Sequence, residues 1–118
     1  MEIRFINNNN DLQEVVNYCK TKKILGFDTE TTGLDPFLCK VVMVQIGDED
    51  RQFVIDARYV DVSPIFPILT SQEITKVGVN LKFDYKMMLS NFNIRLENIF
   101  DCMIAEYCLT TGLKTKRN

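Results

Sequence analysis

The sequence predicts a single α/β domain over residues 1–118, built as a mixed sheet of an antiparallel three-strand meander plus parallel strands and flanked by helices. Three observations carry that expectation. The chain has 118 residues, 46% of them hydrophobic and 25% charged, the balance of one globular domain. Its apolar period changes from 3.6 to 2 near residue 22 and returns to 3.6 after residue 80. Between those changes, three extended runs follow one another with turns among them.

Taken in order, residues 2–6 form a short opening strand, which the asparagines 7–10 break. Asn10 or Asp11 offers a side-chain oxygen to cap the next helix, on which Leu12, Val15, Val16 and Cys19 recur on one face to about residue 22. Residues 24–30 then alternate, with Leu25, Phe27 and Thr29 on one face and Ile24, Gly26, Asp28 and Glu30 on the other. Residues 41–46 are an almost unbroken apolar run, as in a strand covered on both faces. A turn at 47–50 leads to the third meander strand at 52–56. Ser63-Pro64 marks a helix start, with Ser63 as cap and the helix ending near residue 70. A short strand at 76–80 precedes a helix from 81 to about 91. Residues 94–100 allow one more strand, and Asp101 caps a last helix carrying Met103, Ile104, Tyr107 and Cys108.

Composition narrows the chemistry. Fourteen Lys and Arg against sixteen Asp and Glu give a net charge of −2, whereas a protein that grips a long duplex is usually basic. Any nucleic acid is therefore expected as a held end. With no His at all, imidazole acid/base chemistry and His-based triads are excluded. The four cysteines show no C-x-x-C spacing and sit among apolar neighbours, so buried free thiols in a reducing cytoplasm are expected. No apolar run approaches the roughly 20 residues needed to cross a bilayer, and the N-terminus lacks the shape of a signal peptide.

Three carboxylates stand where a plain fold does not want them. Asp28 and Glu30 lie two apart on one strand face, roughly 6–7 Å from each other, at the end of an apolar strand. A solvated strand end accounts for a generic D-x-E. Here Thr31-Thr32-Gly33 follows and turns backbone groups toward the pair. At 100° per residue, Tyr85, Met88, Leu89 and Phe92 form the apolar stripe of the late helix, and Asp84 falls on its border. Lys82 and Lys86, two residues away on a helix, point elsewhere. A rim aspartate reaching water is the plain alternative. Three acids without a His suggest a hard cation, Mg²⁺ or Mn²⁺. Two such ions assist phosphodiester or phosphomonoester cleavage, and the spacing does not separate a nuclease from a phosphatase.

The segment Phe27-Asp28-Thr29-Glu30-Thr31-Thr32-Gly33-Leu34 resembles the first motif of the DEDD 3′→5′ exonucleases, and Val79-Asn80-Leu81-Lys82-Phe83-Asp84 resembles their second. The order of elements between them is that of the family's RNase H-like fold, and 101–107 is similar to the helix that follows. Within the family, Thr-Thr-Gly-Leu looks like the proofreading domain of family A, polymerase I-type DNA polymerases. The resemblance implies roles by position. Asp28 would bridge two divalent ions, Glu30 would hold the first and help orient water, and Asp84 would hold the second. Leu34 would wedge against the terminal base, the turn at Thr31 would meet the 3′-OH, and Asn80 and Phe83 would line the strand's path. For Leu34 and Phe83, core packing is an equal reading.

The family's third motif, Tyr or His with an Asp four or five residues later, has no match after Asp101, where the one acid is Glu106. The chain is therefore expected to be a C-terminally incomplete exonuclease domain lacking the last helices, weak or inactive alone. Its expected partners are the single-stranded 3′ end of DNA, or of RNA, and a polymerase domain or C-terminal segment that completes it. Two other functions stay open: a ribonuclease D-like exoribonuclease, and a non-catalytic RNase H-like module that binds nucleic acid or a polymerase.

Overall fold

The computed structural model describes residues 1–103. In chain order the elements are β1 (Glu2–Ile6), a 3₁₀ turn (Asn9–Asp11), α1 (Leu12–Cys19), β2 (Ile24–Thr31), β3 (Val41–Gly47) and β4 (Arg51–Asp56). A second 3₁₀ turn (Ser63–Ile65) runs into α2 (Phe66–Leu69), followed by β5 (Thr75–Gly78), α3 (Leu81–Phe92) and β6 (Ile99–Asp101). The strands form one mixed sheet in the order β1-β4-β3-β2-β5-β6. The meander β2-β3-β4 is antiparallel, while β1 joins β4, β5 joins β2 and β6 joins β5 in parallel. This is the expected α/β architecture, with β1 returning to the far edge of the meander.

Register explains where the core lies. Phe27 and Thr29 of β2 sit opposite Ile46 and Val44 of β3, which sit opposite Phe53 and Ile55 of β4, and Ile55 opposite Ile6. All of these are buried, along with Leu12, Val15 and Cys19 of α1, Ile68 and Leu69 of α2, and Leu81, Met87 and Met88 of α3. The same register puts Asp28, Gln45 and Val54 side by side on the other face. That face is open among the described residues, with Ile3, Phe5 and Ile24 exposed on it. Because β3 is open on one side, Met43 and Gln45 are not buried, contrary to the expectation of a strand covered on both faces.

Several local expectations are corrected. Ser63 does not cap its helix; its N–H donates to Asp61 Oδ1 at 3.0 Å, and Pro64 fills the first turn. Asn8, not Asn10 or Asp11, accepts the capping bond, from the Asp11 N–H at 3.0 Å. Residues 94–98 are not strand: Leu96 is buried and Ile94 packs on the core before β6 begins. Cys19 is buried and free, and burial pushes its thiol up to about 12, while Cys39 and Cys102 are free but only half-buried. Ile104, Tyr107, Cys108 and the rest of the expected last helix lie outside the described residues.

Lys76 lies on the buried face of β5, fully enclosed. Its ammonium donates to the carbonyls of Ile68, Ser71 and Ile74 at 3.1, 2.8 and 2.6 Å. Those bonds tie the end of α2 to the turn that leads into β5. Burial lowers this lysine to about 8. Among the described residues no helix is long and apolar enough to cross a membrane.

Candidate active site

The site begins where two parallel strands part. β5 accompanies β2 only through Gly26↔Val77, while β2 runs on to Thr31. Beyond that point the backbone donors of β2 on this edge need another acceptor. Gly78 ends β5 against β2, where a Cβ would stand 2.6 Å from the Phe27 carbonyl oxygen and 2.7 Å from Leu81 Cδ2. Only a residue without a side chain lets the next helix start this close. Asn80 then turns the chain in the left-handed region, at φ 56°, and α3 begins.

Asp84, in the first turn of α3, supplies the missing acceptor. Its Oδ1 takes the Thr29 N–H at 3.0 Å and also a short bond from the Thr29 hydroxyl. The carboxylate is buried, at 2% exposure, so the border position expected for it is corrected. The buried face of α3 is Leu81, Asp84, Met87 and Met88, and Tyr85 and Leu89 lie on its flank. Burial raises the Asp84 pKa, the Thr29 bonds oppose that, and the charge of Asp28 adds to it.

Asp28 and Glu30 point to the open face and are exposed. They border a shallow cavity of about 120 Å³ together with Met43, Gln45 and Val54. Among the described residues, no ion pair or hydrogen bond engages either side chain. Asp28, Glu30 and Asp84 therefore share one end of β2, with Asp84 on the covered side and the other two on the open side. As they stand, no group of three acids, cysteines or histidines among the described residues is drawn together as an ion cage. The donor set still fits a hard divalent cation. Every donor is a carboxylate oxygen, no lysine or arginine among the described residues neutralises it, and one member is already dehydrated.

The loop beyond β2 is held firmly. The Thr32 N–H donates to the Lys40 carbonyl and the Lys40 N–H to Thr32 Oγ1, both at 2.9 Å. Asp35 accepts from the N–H groups of Phe37, Leu38 and Cys39. From α3, the Ser90 hydroxyl makes a short bond to the Pro36 carbonyl, and Asn91 bonds both Val41 N–H and the Cys39 carbonyl. On this braced loop Leu34 is 84% exposed, so of its two readings core packing is ruled out. Phe37 and Leu38, at 90% and 80%, join it as exposed apolar side chains. Thr31 closes the turn by donating to the Gly33 carbonyl, Asn80 is exposed, and Phe83 is half-buried against the core.

Sequence reasoning missed Thr29, Gly78, Phe37 and the bonds of Asp101 to α3. Thr29 did carry a signal, a polar residue at a buried position of the period-2 pattern. Asp101 was expected to cap the helix after it, and its bond from the Met103 N–H agrees; its bonds from the Asn80 and Leu81 N–H groups, about twenty residues away, left no signal in the sequence.

Comparison with known proteins agrees with this fold. The family described as 3′-5′ exonuclease matches residues 3–116. DNA polymerase I of Aquifex aeolicus is 34% identical over 110 residues, which cover 92% of this chain and 18% of the polymerase. DNA polymerase I of Borreliella burgdorferi is 28% identical over 97% of this chain and 14% of its own length. This chain thus spans less than a fifth of these relatives. Among solved structures, Brucella melitensis NrnC with bound Mg²⁺ superposes with a TM-score of 0.78 at 28% identity, over 95% of this chain and 55% of that one. Escherichia coli RNase D shares the fold, with a TM-score of 0.76 at 22% identity over 86% of this chain and 27% of that one. With both acid-bearing segments joined at the end of β2 and a match over nearly the whole sequence, the chain belongs to the 3′-5′ exonuclease family.

Proposed function

We propose that this chain carries the metal-binding and end-gripping part of a proofreading-type 3′→5′ exonuclease that hydrolyses phosphodiester bonds at DNA 3′ ends. One observation carries the reading: the end of β2 bears three carboxylates, two exposed and one buried, and no cation among the described residues neutralises them. Asp28, Glu30 and Asp84 would hold two Mg²⁺ or Mn²⁺ ions. Such ions polarise the phosphate and make a hydroxide nucleophile available near neutral pH. The protein's own share is positioning. Thr29 holds Asp84, the turn at Thr31 would meet the 3′-OH, and exposed Leu34 would meet the terminal base through an apolar contact that ignores sequence. Asn80 and Phe83 border the path of the strand.

The match to DNA polymerase I favours DNA as substrate and a polymerase domain as partner. A second reading, short RNA, is supported by NrnC bound to pGG, 26% identical over 95% of this chain. Because no Tyr or His with a following Asp occurs after Asp101, a further segment would supply the third motif. The test is Mn²⁺-dependent release of nucleotides from matched 3′-labelled DNA and RNA single strands. The chain is assayed alone and fused to the segment that follows in the Aquifex relative. The expected result is a fusion at least ~10²-fold faster than the chain alone, with DNA preferred. Equal rates for both forms would overturn the completion, preference for RNA the substrate, and release from 5′ ends the whole reading.

A further inference from the structure

We propose that Asp101 is a positioning residue for Asp84, holding the first turn of α3 in place from the adjoining strand β6. Helix α3 enters with an unmet need. Its cap residue Asn80 is left-handed and makes no side-chain capping bond; its carbonyl accepts the Phe83 N–H at 3.1 Å, which leaves the Asn80 and Leu81 N–H groups in need of an acceptor from elsewhere. Asp101 meets that need with both oxygens: Oδ1 accepts the Asn80 N–H at 3.0 Å and Oδ2 the Leu81 N–H at 2.8 Å. Oδ1 also accepts from the Met103 N–H at 2.9 Å, so among the described residues one carboxylate gathers three backbone donors. Negative charge at a helix N-terminus is favourable in itself.

The anchor is rigid because Asp101 is the last residue of β6, in register with Gly78 of β5. Gly78 in turn lies against the Phe27 carbonyl and Leu81. Leu81 is thus fixed by a strand on one side and by a carboxylate on the other. Asp84 follows Leu81 by three residues, on the same helix face, and its single oxygen must reach both donors of Thr29. Small tilts of the first turn therefore translate directly into that bond. An amide at 101 offers one acceptor where the carboxylate offers two, and turns a donor toward an N–H. Aspartate is required here for its second oxygen.

The importance of this for metal binding rests on the proposed function, but the positioning itself is measured without metal. Amide hydrogen exchange of the full chain in chelator reads the Thr29 N–H directly, with Val44 and Ile55 reporting the core of the sheet. In Asp101→Asn, Thr29 should exchange at least tenfold faster while Val44 and Ile55 stay within twofold. In Asp101→Ala the effect should be larger and approach that of Asp84→Ala. Unchanged Thr29 exchange in Asp101→Asn would overturn the proposal, as would equal acceleration at every amide, which marks general loosening. A Mn²⁺ titration separates the two claims. With Asp84 mispositioned, Asp101→Asn should bind Mn²⁺ roughly tenfold more weakly than wild type. Absence of binding by wild type would sink the metal reading and leave the exchange result to decide the role of Asp101.

Discussion

The two ends of strand β2 treat carboxylates in opposite ways. At the start, where Gly26 pairs with Gly47, the adjoining Asp48 is surrounded by donors. The Tyr18 hydroxyl reaches both its oxygens at 2.7 and 2.9 Å, the Asp50 and Arg51 N–H groups bond at 3.0 Å each, and Lys22 stands 3.4 Å away. Chiefly through the Tyr18 and Arg51 bonds, its pKa falls to about 2. At the far end, Asp28 and Glu30 face solvent with no cation paired to them among the described residues, and Asp84 is buried against Thr29 with a pKa pushed upward by burial. An acid completed by its own protein serves the fold. Acids left incomplete at the tip of the same strand are those that the proposed function assigns to an ion from outside.

The sharpest way to break this contrast is catalytic. In the completed exonuclease, Asp28→Ala should lower the rate on 3′-labelled single strands by about 10²–10³-fold, whereas Asp48→Asn should change it less than twofold. A comparable loss from both would erase the distinction between the ends.

Stability should show the reverse. Asp48→Asn should cost about 1–2 kcal/mol at pH 7 by urea melting, with salt screening reducing it. A carboxylate whose folded pKa lies below its unfolded value of about 3.9 stabilises the fold above that pH. The contribution is lost as pH falls toward about 2, so the variant and wild type should converge near pH 2.

Asp84→Asn should act in the opposite direction, raising stability in chelator by about 1 kcal/mol at pH 7. The amide oxygen can still accept from Thr29, and the dehydrated charge is gone. The folded pKa here lies above the unfolded value of about 3.9. The penalty therefore sets in as pH rises through that interval, persists at neutrality and disappears on acidification. Saturating Mn²⁺ should shrink or reverse the difference, because only wild type gains from binding. A clearly less stable Asp84→Asn in chelator would make Asp84 a structural acid like Asp48.

The smallest effect separates two exposed apolar residues. Leu34→Ala, on the braced loop, should weaken binding of a single-stranded DNA oligomer about threefold by fluorescence anisotropy. Ile24→Ala, at the other end of β2 and 63% exposed, should leave it unchanged. Neither should shift stability by more than about 0.5 kcal/mol.

Much of this was legible in the sequence because it depended on neighbours along the chain. Period-2 alternation placed Leu25, Phe27 and Thr29 inward and Asp28 and Glu30 outward, and the structure agrees. The family resemblance was carried by contiguous residues as well. What escaped depended on contacts between distant segments. The stripe on α3 was misplaced because apolar counting favours Tyr85, Leu89 and Phe92, while the helix turns Asp84 inward to an N–H left unpaired where β5 stops. That vacancy has no trace in helical periodicity. The bonds of Asp101 to α3 and the close approach at Gly78 are likewise properties of strand register.

The central claim is that the acids left incomplete at the end of β2 bind a divalent cation, and calorimetric titration with Mn²⁺ tests it most directly. Wild type and Asp48→Asn should bind with the same affinity, and Asp28→Ala should lose the heat of binding or require at least tenfold more metal. Equal binding by wild type and Asp28→Ala, or no binding by wild type, would contradict the account.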